Sequence, residues 1–513
     1  MNDPRYESLG ALVRRQAERY GDKTFMTFGD GSTMSYSELG DRVGGIAAHL
    51  RSHGIDRGPV ALMMKNSLFY PVAWLGIVSS GAVSVPMNSR LRTDDARYVL
   101  GHSGATAAFV DDSTAGVVRA AAPPELRHVF VGEPEATLAP SDVEARPGAI
   151  SNIQYTSGTT GFPKGCLLTH RFWQVMGATA AEVLELTEDD ILLTSQPHSY
   201  IDPQWNVIAT LRAGAHLVLL DGFHPSTFMR DVARFGVTVF YCLGVMPTLL
   251  LKQPPGPADR EHSLTRVFCS AIPIEQHEAI ERRWGVPWSE VFGMTETGIN
   301  TAVTAADHDR CVAGGSIGRA VAHNETAIVG DDDREVAPGE VGELVVRGVG
   351  MMEGYHRDPD ATAAFFRNGW AHTGDLATQD ADGFVYLRGR RKEMIRRGGE
   401  NISPVEVENA LSTHPDVVEC AVAAVPDADM GEELKAYVVL LEDATARPHD
   451  LAAHLAERLA AFKVPRYWEL RDRLPRTPSE KIAKHELERG RAGFLVATTD
   501  LGPRTRSRRS EDG

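Results

Sequence analysis

The chain has 513 residues, too many for one compact core, so we expect at least two domains of unequal size. Its formal net charge of −16 argues against a nucleic-acid partner, because binding a polyanion requires a broad basic face. The five cysteines form no Cys-x-x-Cys pair, so the sequence supports neither a zinc site nor a disulfide framework. Without a long apolar run or a signal-peptide core, we expect a cytoplasmic protein with no membrane span.

Helical and strand patterns alternate along the first 150 residues. The expected elements are a helix over 36–53 and strands over 59–65, 82–87 and 107–110. The alternation continues with strands over 214–220 and 237–241, separated by a helix over 226–235. Such alternation predicts an α/β domain of layered subdomains with largely parallel sheets.

From about residue 341 the pattern changes to short strands with turns, over 342–347 and 383–387. This change indicates a small β-rich subdomain. After Lys392 follow a helix over 404–413, strands over 417–425 and 434–441, and a helix over 451–461. We therefore predict a large N-terminal domain over 1–391, a small mobile α+β C-terminal domain over 392–495, and a disordered polar tail over 496–513.

Residues 155–165, with the sequence YTSGTTGFPKG, combine glycines, hydroxyls and one lysine. Glycines let backbone N–H groups converge on an anion, hydroxyls add donors, and a lysine adds a compact positive charge. The segment therefore predicts a triphosphate site formed by Thr156, Ser157, Gly158, Thr159, Thr160, Gly161 and Lys164. The segment argues against a Walker loop, because the Walker lysine is followed by Ser or Thr, whereas Gly165 follows Lys164 here. A flexible polar surface loop is the alternative.

The order of these eleven residues resembles the phosphate-binding signature of the adenylate-forming superfamily. That superfamily includes acyl-CoA synthetases, peptide-synthetase adenylation domains and beetle luciferases. Further matches follow in the superfamily's order, at residues 291–298 (VFGMTETG), 372–376 (HTGDL), 389–402 (GRRKEMIRRGGENI) and 474–482 (LPRTPSEKI).

The resemblance implies a nucleotide site built from several of these segments. It places Phe292 beside adenine, within a segment that includes Gly293 and Met294, and it places Thr295 near phosphate. Glu296 would face magnesium, a cation that prefers oxygen ligands, although Thr-Glu-Thr could also be a solvated turn. The remaining nucleotide contacts implied are Ser270 and Ala271 on the adenine side, Asp375 at the ribose hydroxyls, and Arg390 at ribose and phosphate.

The resemblance also implies a hinge and a catalytic lysine in the C-terminal region. Lys392 corresponds to the hinge, and the pair Gly398 and Gly399 lies where a phosphopantetheine arm passes. Lys481 corresponds to the superfamily's catalytic lysine, which stabilises charge as pyrophosphate leaves. Glu480 stands where the family usually has glycine, which leaves the conformation of this loop open.

Residues 197–205 (PHSYIDPQW) fall where the family lines its acyl pocket, and they are similar to the same region of bacterial crotonobetaine/carnitine-CoA ligases. Tyr200 stands where several relatives have histidine. Asp202 could attract a cationic acid, but Asp followed by Pro203 favours a helix N-cap with proline at the first helical position. His198 and Trp205 are pocket walls or ordinary packing residues.

The resemblance implies an ATP-dependent carboxylate–CoA ligase that uses magnesium and coenzyme A. A small carboxylic acid would give an acyl-adenylate and then a thioester. Too few residues follow Lys481 for a carrier domain, so we expect the thiol in trans, from coenzyme A or a carrier protein. Transfer to a nitrogen nucleophile, a luciferase-like oxygenase and a non-catalytic scaffold are the alternatives, and the sequence does not indicate the oligomeric state.

Overall fold

A computed structural model describes residues 7–134, 145–156, 163–243, 246–312, 314–398, 400–427, 430–476, 482–488 and 497–502. Helices and strands alternate through its first part. They are α1 (Leu9–Tyr20), β1 (Thr24–Phe28), β2 (Thr33–Ser35), α2 (Tyr36–Ser52), β3 (Pro59–Met63), α3 (Phe69–Ser79), β4 (Val83–Met87), α4 (Thr93–Ser103), β5 (Ala107–Val110), α5 (Ala115–Ala121), β6 (His128–Val131), β7 (Ile150–Thr156), β8 (Lys164–Thr169) and α6 (His170–Val183).

The same alternation continues in the middle of the chain. Its elements are β9 (Ile191–Thr194), α7 (Ile201–Ala213), β10 (His216–Leu219), α8 (Pro225–Arg234), β11 (Val239–Leu243), α9 (Met246–Leu251), β12 (Arg266–Ser270), α10 (His277–Trp284), β13 (Trp288–Met294), β14 (Gly298–Ala302), α11 (His308–Cys311) and β15 (Arg319–Ala320).

Strands dominate the next part, and a mixed region ends the described chain. These elements are β16 (Asn324–Val329), β17 (Gly342–Gly348), α12 (Pro359–Phe365), β18 (Phe366–Arg367), β19 (Trp370–Gln379), β20 (Val385–Arg390), β21 (Ile395–Arg397), β22 (Glu400–Ile402), α13 (Pro404–Ser412), β23 (Val417–Asp427), β24 (Gly431–Leu440), α14 (Pro448–Ala456), β25 (Tyr467–Leu470), α15 (Lys484–Glu488) and β26 (Thr499–Asp500).

The first two parts form two large sheets with strand orders β6-β5-β3-β4-β7-β8 and β15-β14-β13-β12-β11-β9-β10-β1-β2. Their inner strands are parallel, as in the pairs β3–β4, β9–β10 and β11–β12. Strands β16 to β20 form a separate antiparallel sheet, and β21 to β26 form a sheet of the C-terminal part. The predicted fold class, a large α/β part with a β-rich subdomain and a small α+β part, is confirmed.

The largest hydrophobic cluster joins the two large sheets through the helices between them. It includes Leu62 of β3, Leu192 of β9 and three fully buried tryptophans, Trp74, Trp173 and Trp205. Aromatic side chains of this size bury the most apolar area per residue, so they contribute much of the packing energy. The two large sheets therefore share one hydrophobic core.

Some predicted boundaries differ from the observed ones for local reasons. The strand expected over 59–65 ends at Met63, because the N–H of Lys65 donates to Asp111 (2.7 Å) rather than to a neighbouring strand. The strand expected from Gly214 begins at His216, because Gly214 has a φ of 73° and ends α7. The helix expected over 451–461 begins earlier, at Pro448, and ends at Ala456.

Residues 497–502, which were expected to belong to a disordered tail, are ordered against the C-terminal sheet. Strand β26 pairs antiparallel with β25, and Asp500 forms an ion pair with Arg466 (2.8 Å). Residues 503–513 lie outside the described residues. Of the helices that the structure describes, none has the length and apolar character needed to cross a bilayer.

Candidate active site

The predicted phosphate loop connects two paired antiparallel strands. Thr156, at the end of β7, pairs with Lys164, at the start of β8. Ser157, Gly158, Thr159, Thr160 and Gly161 lie outside the described residues. The pairing fixes the two ends of the loop beside each other, at one edge of the sheet.

Lys164 and Glu296 both contact the side chain of Tyr355. The Nζ atom of Lys164 lies 5.0 Å from the centroid of the Tyr355 ring, and the Tyr355 hydroxyl donates to Oε1 of Glu296 (2.9 Å). Burial, followed by the negative charge of Glu296, raises the pKa of Tyr355, so the phenol remains a neutral donor. The residues predicted to hold phosphate and magnesium are therefore positioned by one aromatic side chain that sequence reasoning did not identify.

Backbone contacts hold Tyr355 in this position. The N–H of Leu167 donates to the carbonyl oxygen of Gly354 (2.9 Å), and the N–H of His356 donates to that of Gly165 (2.7 Å). The segment around Tyr355 thus pairs with β8, the strand that begins at Lys164. The Gly-Tyr-His sequence shows neither a helical nor a strand hydrophobic period, so hydrophobic patterns along the chain did not indicate Tyr355 as a site residue.

Glu296 lies in the tight reversal between β13 and β14. These strands pair antiparallel with an irregularity between Phe292 and Gly293. A Cβ atom at Gly293 would lie 2.5 Å from the carbonyl oxygen of Gly298, so only glycine permits this close approach. Phe292 and Met294 are partly buried, as is Thr295, while Glu296 is only 9% exposed.

The predicted adenine-side residues are held by a carboxylate of the neighbouring strand. Ala271 has a φ of 74°, an unusual value for a residue with a Cβ atom. Glu290 accepts hydrogen bonds from the N–H groups of Ala271 (3.1 Å) and Ile272 (2.8 Å). The Ser270 hydroxyl contacts the Tyr241 hydroxyl (2.8 Å). Glu290 lies on the same face of β13 as Phe292, so the period-two pattern of the strand could have indicated it.

Burial raises the pKa of Glu290 from 4.5 to about 8, although the backbone N–H groups of Ile272 and Ala271 oppose the shift. The folded protein therefore binds this proton more tightly than the unfolded chain does. The contribution of this proton to the free energy of unfolding is complete below pH 4.5 and is lost as the pH rises through about 8.

We expect the unfolding temperature of the protein to fall as the pH rises over this range. The Glu290→Gln variant should show a smaller fall. Glu275→Gln, a change at an exposed carboxylate, is the control, and equal pH profiles for both variants would contradict the assignment.

The predicted ribose and phosphate residues form an ion pair between β19 and β20. Arg390 Nε lies 2.9 Å from Oδ1 of Asp375. Burial alone would lower the pKa of Arg390, but the charges of Asp375, Glu393 and Glu296 raise it.

The hinge residue predicted at Lys392 is exposed and lies in a turn between β20 and β21. Glu393 in this turn pairs with Lys484 of the C-terminal part (3.2 Å). Gly398 is exposed and has a φ of 55°. Gly399 and Lys481 lie outside the described residues.

The predicted acyl-side residues lie on and before α7, which begins at Ile201. Asp202 and Pro203 are its second and third residues, and Tyr200 occupies the N-cap position, without a side-chain cap hydrogen bond. The cap prediction for Asp202 is therefore wrong, because the helix begins two residues earlier than the Asp-Pro pair suggested. Asp202 instead accepts a hydrogen bond from Nε1 of Trp205 (3.2 Å).

Trp205 and Tyr241 form the inner side of this region, with ring centroids 4.9 Å apart in an edge-to-face arrangement. Burial, followed by the charge of Asp202, raises the pKa of Tyr241 well above its ordinary value. Because Tyr241 also contacts Ser270, the predicted acyl-side and adenine-side residues are connected through Tyr241.

His198 packs deeper, against the ring of Tyr70 (5.4 Å between centroids), and Tyr200 contacts the side-chain amide of Asn88. Burial lowers the pKa of His198 to about 3, so the imidazole is neutral. Among the described residues, neither of its ring nitrogens has a hydrogen-bond partner. The structure thus places His198 in the interior, next to the acyl-side loop.

Comparison with known proteins gives consistent matches over most of the chain. The family model described as AMP-binding enzyme matches residues 13–356, and the model described as AMP-binding enzyme C-terminal domain matches residues 406–481. A sulfoacetate–CoA ligase from Cupriavidus necator is 34% identical over 505 residues, covering 94% of this chain and 97% of the relative. A crotonobetaine/carnitine–CoA ligase from Salmonella paratyphi A is 33% identical over 503 residues, covering 92% and 97%.

Solved structures agree with these matches. ATP-bound MatB from Rhodopseudomonas palustris superposes with a TM-score of 0.85 and 27% identity, over 96% of this chain and 100% of that chain. The o-succinylbenzoate CoA synthetase from Bacillus subtilis, in complex with its acyl-adenylate intermediate, gives a TM-score of 0.83 and 27% identity, over 93% and 97%.

Proposed function

Since the chain belongs to the family of AMP-binding enzymes, we propose that it is an ATP-dependent carboxylate–CoA ligase that works through an acyl-adenylate. The relatives above, named as CoA ligases or a CoA synthetase, support this proposal. The observation that carries it is the meeting of Lys164 and Glu296 on Tyr355, next to the ends of the phosphate loop. A cation and a carboxylate at that point suit a nucleotide triphosphate and its metal ion.

In the first step, a carboxylate oxygen of the acid attacks the α-phosphorus of ATP, and the bond to the β-phosphate oxygen breaks. The products are an acyl-adenylate and pyrophosphate. Such a displacement needs positioning and charge stabilisation rather than a protein nucleophile. Lys164 would hold the departing phosphates, and Lys481 would stabilise charge at the reacting oxygens.

The donor set fits the magnesium ion that accompanies ATP. The buried carboxylate of Glu296 supplies an oxygen ligand, and Tyr355 holds one of its two oxygens in place. When bound, Mg²⁺ would neutralise phosphate charge as it develops. On the sugar side, Asp375 would accept hydrogen bonds from the ribose hydroxyls, with Arg390 fixing its orientation.

In the second step, the thiolate of coenzyme A attacks the acyl carbon, a thioester forms and AMP leaves. We propose that the C-terminal part rotates about Lys392 between the two steps, which brings Gly398 and Gly399 toward the thiol. The exposed turn that contains Lys392 suits a hinge, because few packed side chains restrain it.

For the acid, we propose a small carboxylate with a cationic group. Asp202 supplies a negative charge beside the aromatic rings of Trp205 and Tyr241. A carboxylate next to aromatic faces is the chemistry that recognises alkylammonium groups. Of the substrates in the relatives' names, the trimethylammonium acids fit this charge, whereas sulfoacetate is an anion that Asp202 would repel.

The acid proposal predicts a charge-dependent effect of Asp202→Asn. The asparagine keeps an oxygen that can accept from Trp205, so the change removes mainly the charge. We expect KM for a trimethylammonium acid to rise by about 10-fold, which corresponds to about 1.4 kcal/mol, while KM for a neutral acid of the same size stays constant. Equal changes for both acids would show that Asp202 does not select charge.

The reaction itself is tested by its products. With ATP, Mg²⁺, the acid and coenzyme A, we expect AMP, pyrophosphate and an acyl thioester in equal amounts. ADP and orthophosphate as the nucleotide products would contradict the proposal. Turnover that is unchanged without a thiol would favour transfer to a nitrogen nucleophile, and turnover only with a carrier protein that has a free phosphopantetheine thiol would favour a carrier in trans.

A further inference from the structure

Two histidines and a glutamate meet on the side of the molecule where β13 begins. His277 and Glu281 lie one turn apart on α10, and His308 is the first residue of α11. One potential ligand atom from each residue lies within 4.8 Å of the other two. The sequence analysis did not connect these residues, because His308 lies 27 positions from Glu281 along the chain.

The geometry of the cluster centres on Oε1 of Glu281. His308 Nε2 lies 2.7 Å from this oxygen and His277 Nε2 lies 3.3 Å from it. The side chains of His277, Glu281 and His308 are only 7%, 20% and 13% exposed, so the three groups are largely withdrawn from bulk water. Both imidazole nitrogens therefore lie close to one carboxylate oxygen in a largely buried cluster.

We propose that His277, Glu281 and His308 bind one divalent transition-metal ion of the zinc class. Two imidazole nitrogens and one carboxylate oxygen form a ligand set that suits Zn²⁺ and Co²⁺, whereas Mg²⁺ prefers oxygen ligands alone. Two ligands one helical turn apart project from the same face of α10, which preorganises two of the three positions.

Neighbouring groups fulfil the roles expected around such an ion. His308 Nδ1 lies 3.4 Å from the carboxylate of Asp309, which can orient the ring and raise the basicity of the opposite nitrogen. The N–H of Trp288 donates to Glu281 Oε1 (2.7 Å) and fixes the carboxylate.

A surface pocket beside the cluster gives an ion a route to the ligands. Glu281 and His308 line it together with Glu278, Arg282 and the segment Gly285, Val286 and Pro287. His277 Nε2 also lies 2.8 Å from the carbonyl oxygen of Trp288, a hydrogen bond that the ion would replace. Because this hydrogen bond would be lost, the site favours ions that bind imidazole strongly and disfavours ions that coordinate it weakly.

The ion would act on structure rather than on the reacting atoms. It would tie α10 and α11 to Trp288, the first residue of β13, whereas Phe292 and Glu296 lie at or beyond the other end of that strand. Four strand residues span roughly 13 Å, too far for the ion to contact a substrate held near Phe292. We therefore expect the ion to change stability without being required for the chemical step.

The test uses the full chain after treatment with a chelator and titration with Zn²⁺ or Co²⁺ alone. We expect one equivalent to bind, a rise in the unfolding temperature, and a Co²⁺ absorption spectrum of a low-coordinate site. Because loss of an outer partner alone costs about 10–100-fold in affinity, His308→Gln and Glu281→Gln should each weaken binding by more than about 10-fold. His224→Gln, which removes an exposed histidine beside Asp221, is the matched control and should bind normally.

A substitution at an exposed residue, which should leave folding intact, completes the test. Asp309 is fully exposed, so Asp309→Asn should fold normally while weakening Zn²⁺ binding by about 10-fold. The wild-type chain binding no ion would overturn the proposal. Equal Zn²⁺ affinity in wild type, His308→Gln and Glu281→Gln would also overturn it, because the ion would then bind elsewhere.

Discussion

Replacing Lys481 with alanine should reduce acyl-adenylate formation by about 10²–10³-fold, the usual cost of removing one charge-stabilising group from a reacting oxygen. The second step should be almost unaffected, because the lysine is expected to have left the site when the thiol attacks. Pyrophosphate release measures the first step. Thioester formation from synthetic acyl-adenylate and coenzyme A measures the second.

Lys463→Ala is the control, since it removes another lysine of the C-terminal part, one that pairs with Glu406. This control should keep both activities. Normal pyrophosphate release by Lys481→Ala would remove the lysine from the proposed mechanism. An equal loss in both steps would indicate a structural defect instead of a specific role in adenylation.

The second large effect is expected for Glu296→Gln. The amide keeps an acceptor for the Tyr355 hydroxyl but loses the charge that attracts magnesium. We expect adenylation to fall by about 10²-fold or more and the Mg²⁺ concentration for half-maximal activity to rise. Pyrophosphate release across a Mg²⁺ titration measures both quantities.

Tyr355→Phe separates the charge of Glu296 from its position. The ring over Lys164 remains, but one hydrogen bond to the carboxylate is lost. A single bond to a charged group is worth about 1.5–3 kcal/mol, so we expect a loss of about 10–100-fold with a smaller change in the Mg²⁺ requirement. If Glu296→Gln were as active as wild type, the carboxylate would not be a magnesium ligand.

The candidate site could be proposed from the sequence wherever a motif is contiguous. The loop over 155–165, the segment over 291–298 and the Thr-Gly-Asp turn each carry their residues in one short run. The fold class followed from the alternation of periodic patterns, which local hydrophobic spacing determines. Boundaries were less accurate, as at Gly214 and Asp202, because a helix end depends on backbone hydrogen bonds that one residue can shift.

The sequence by itself determined the fold class and the order of the candidate nucleotide-binding segments, because both depend on neighbours along the chain. Only the tertiary structure showed that Tyr355 joins Lys164 to Glu296, that Glu290 holds Ala271, and that Tyr241 connects Asp202 to Ser270. These contacts join residues far apart in the chain. They form because the packing of strands and helices, rather than local spacing, brings their side chains within hydrogen-bond or van der Waals distance.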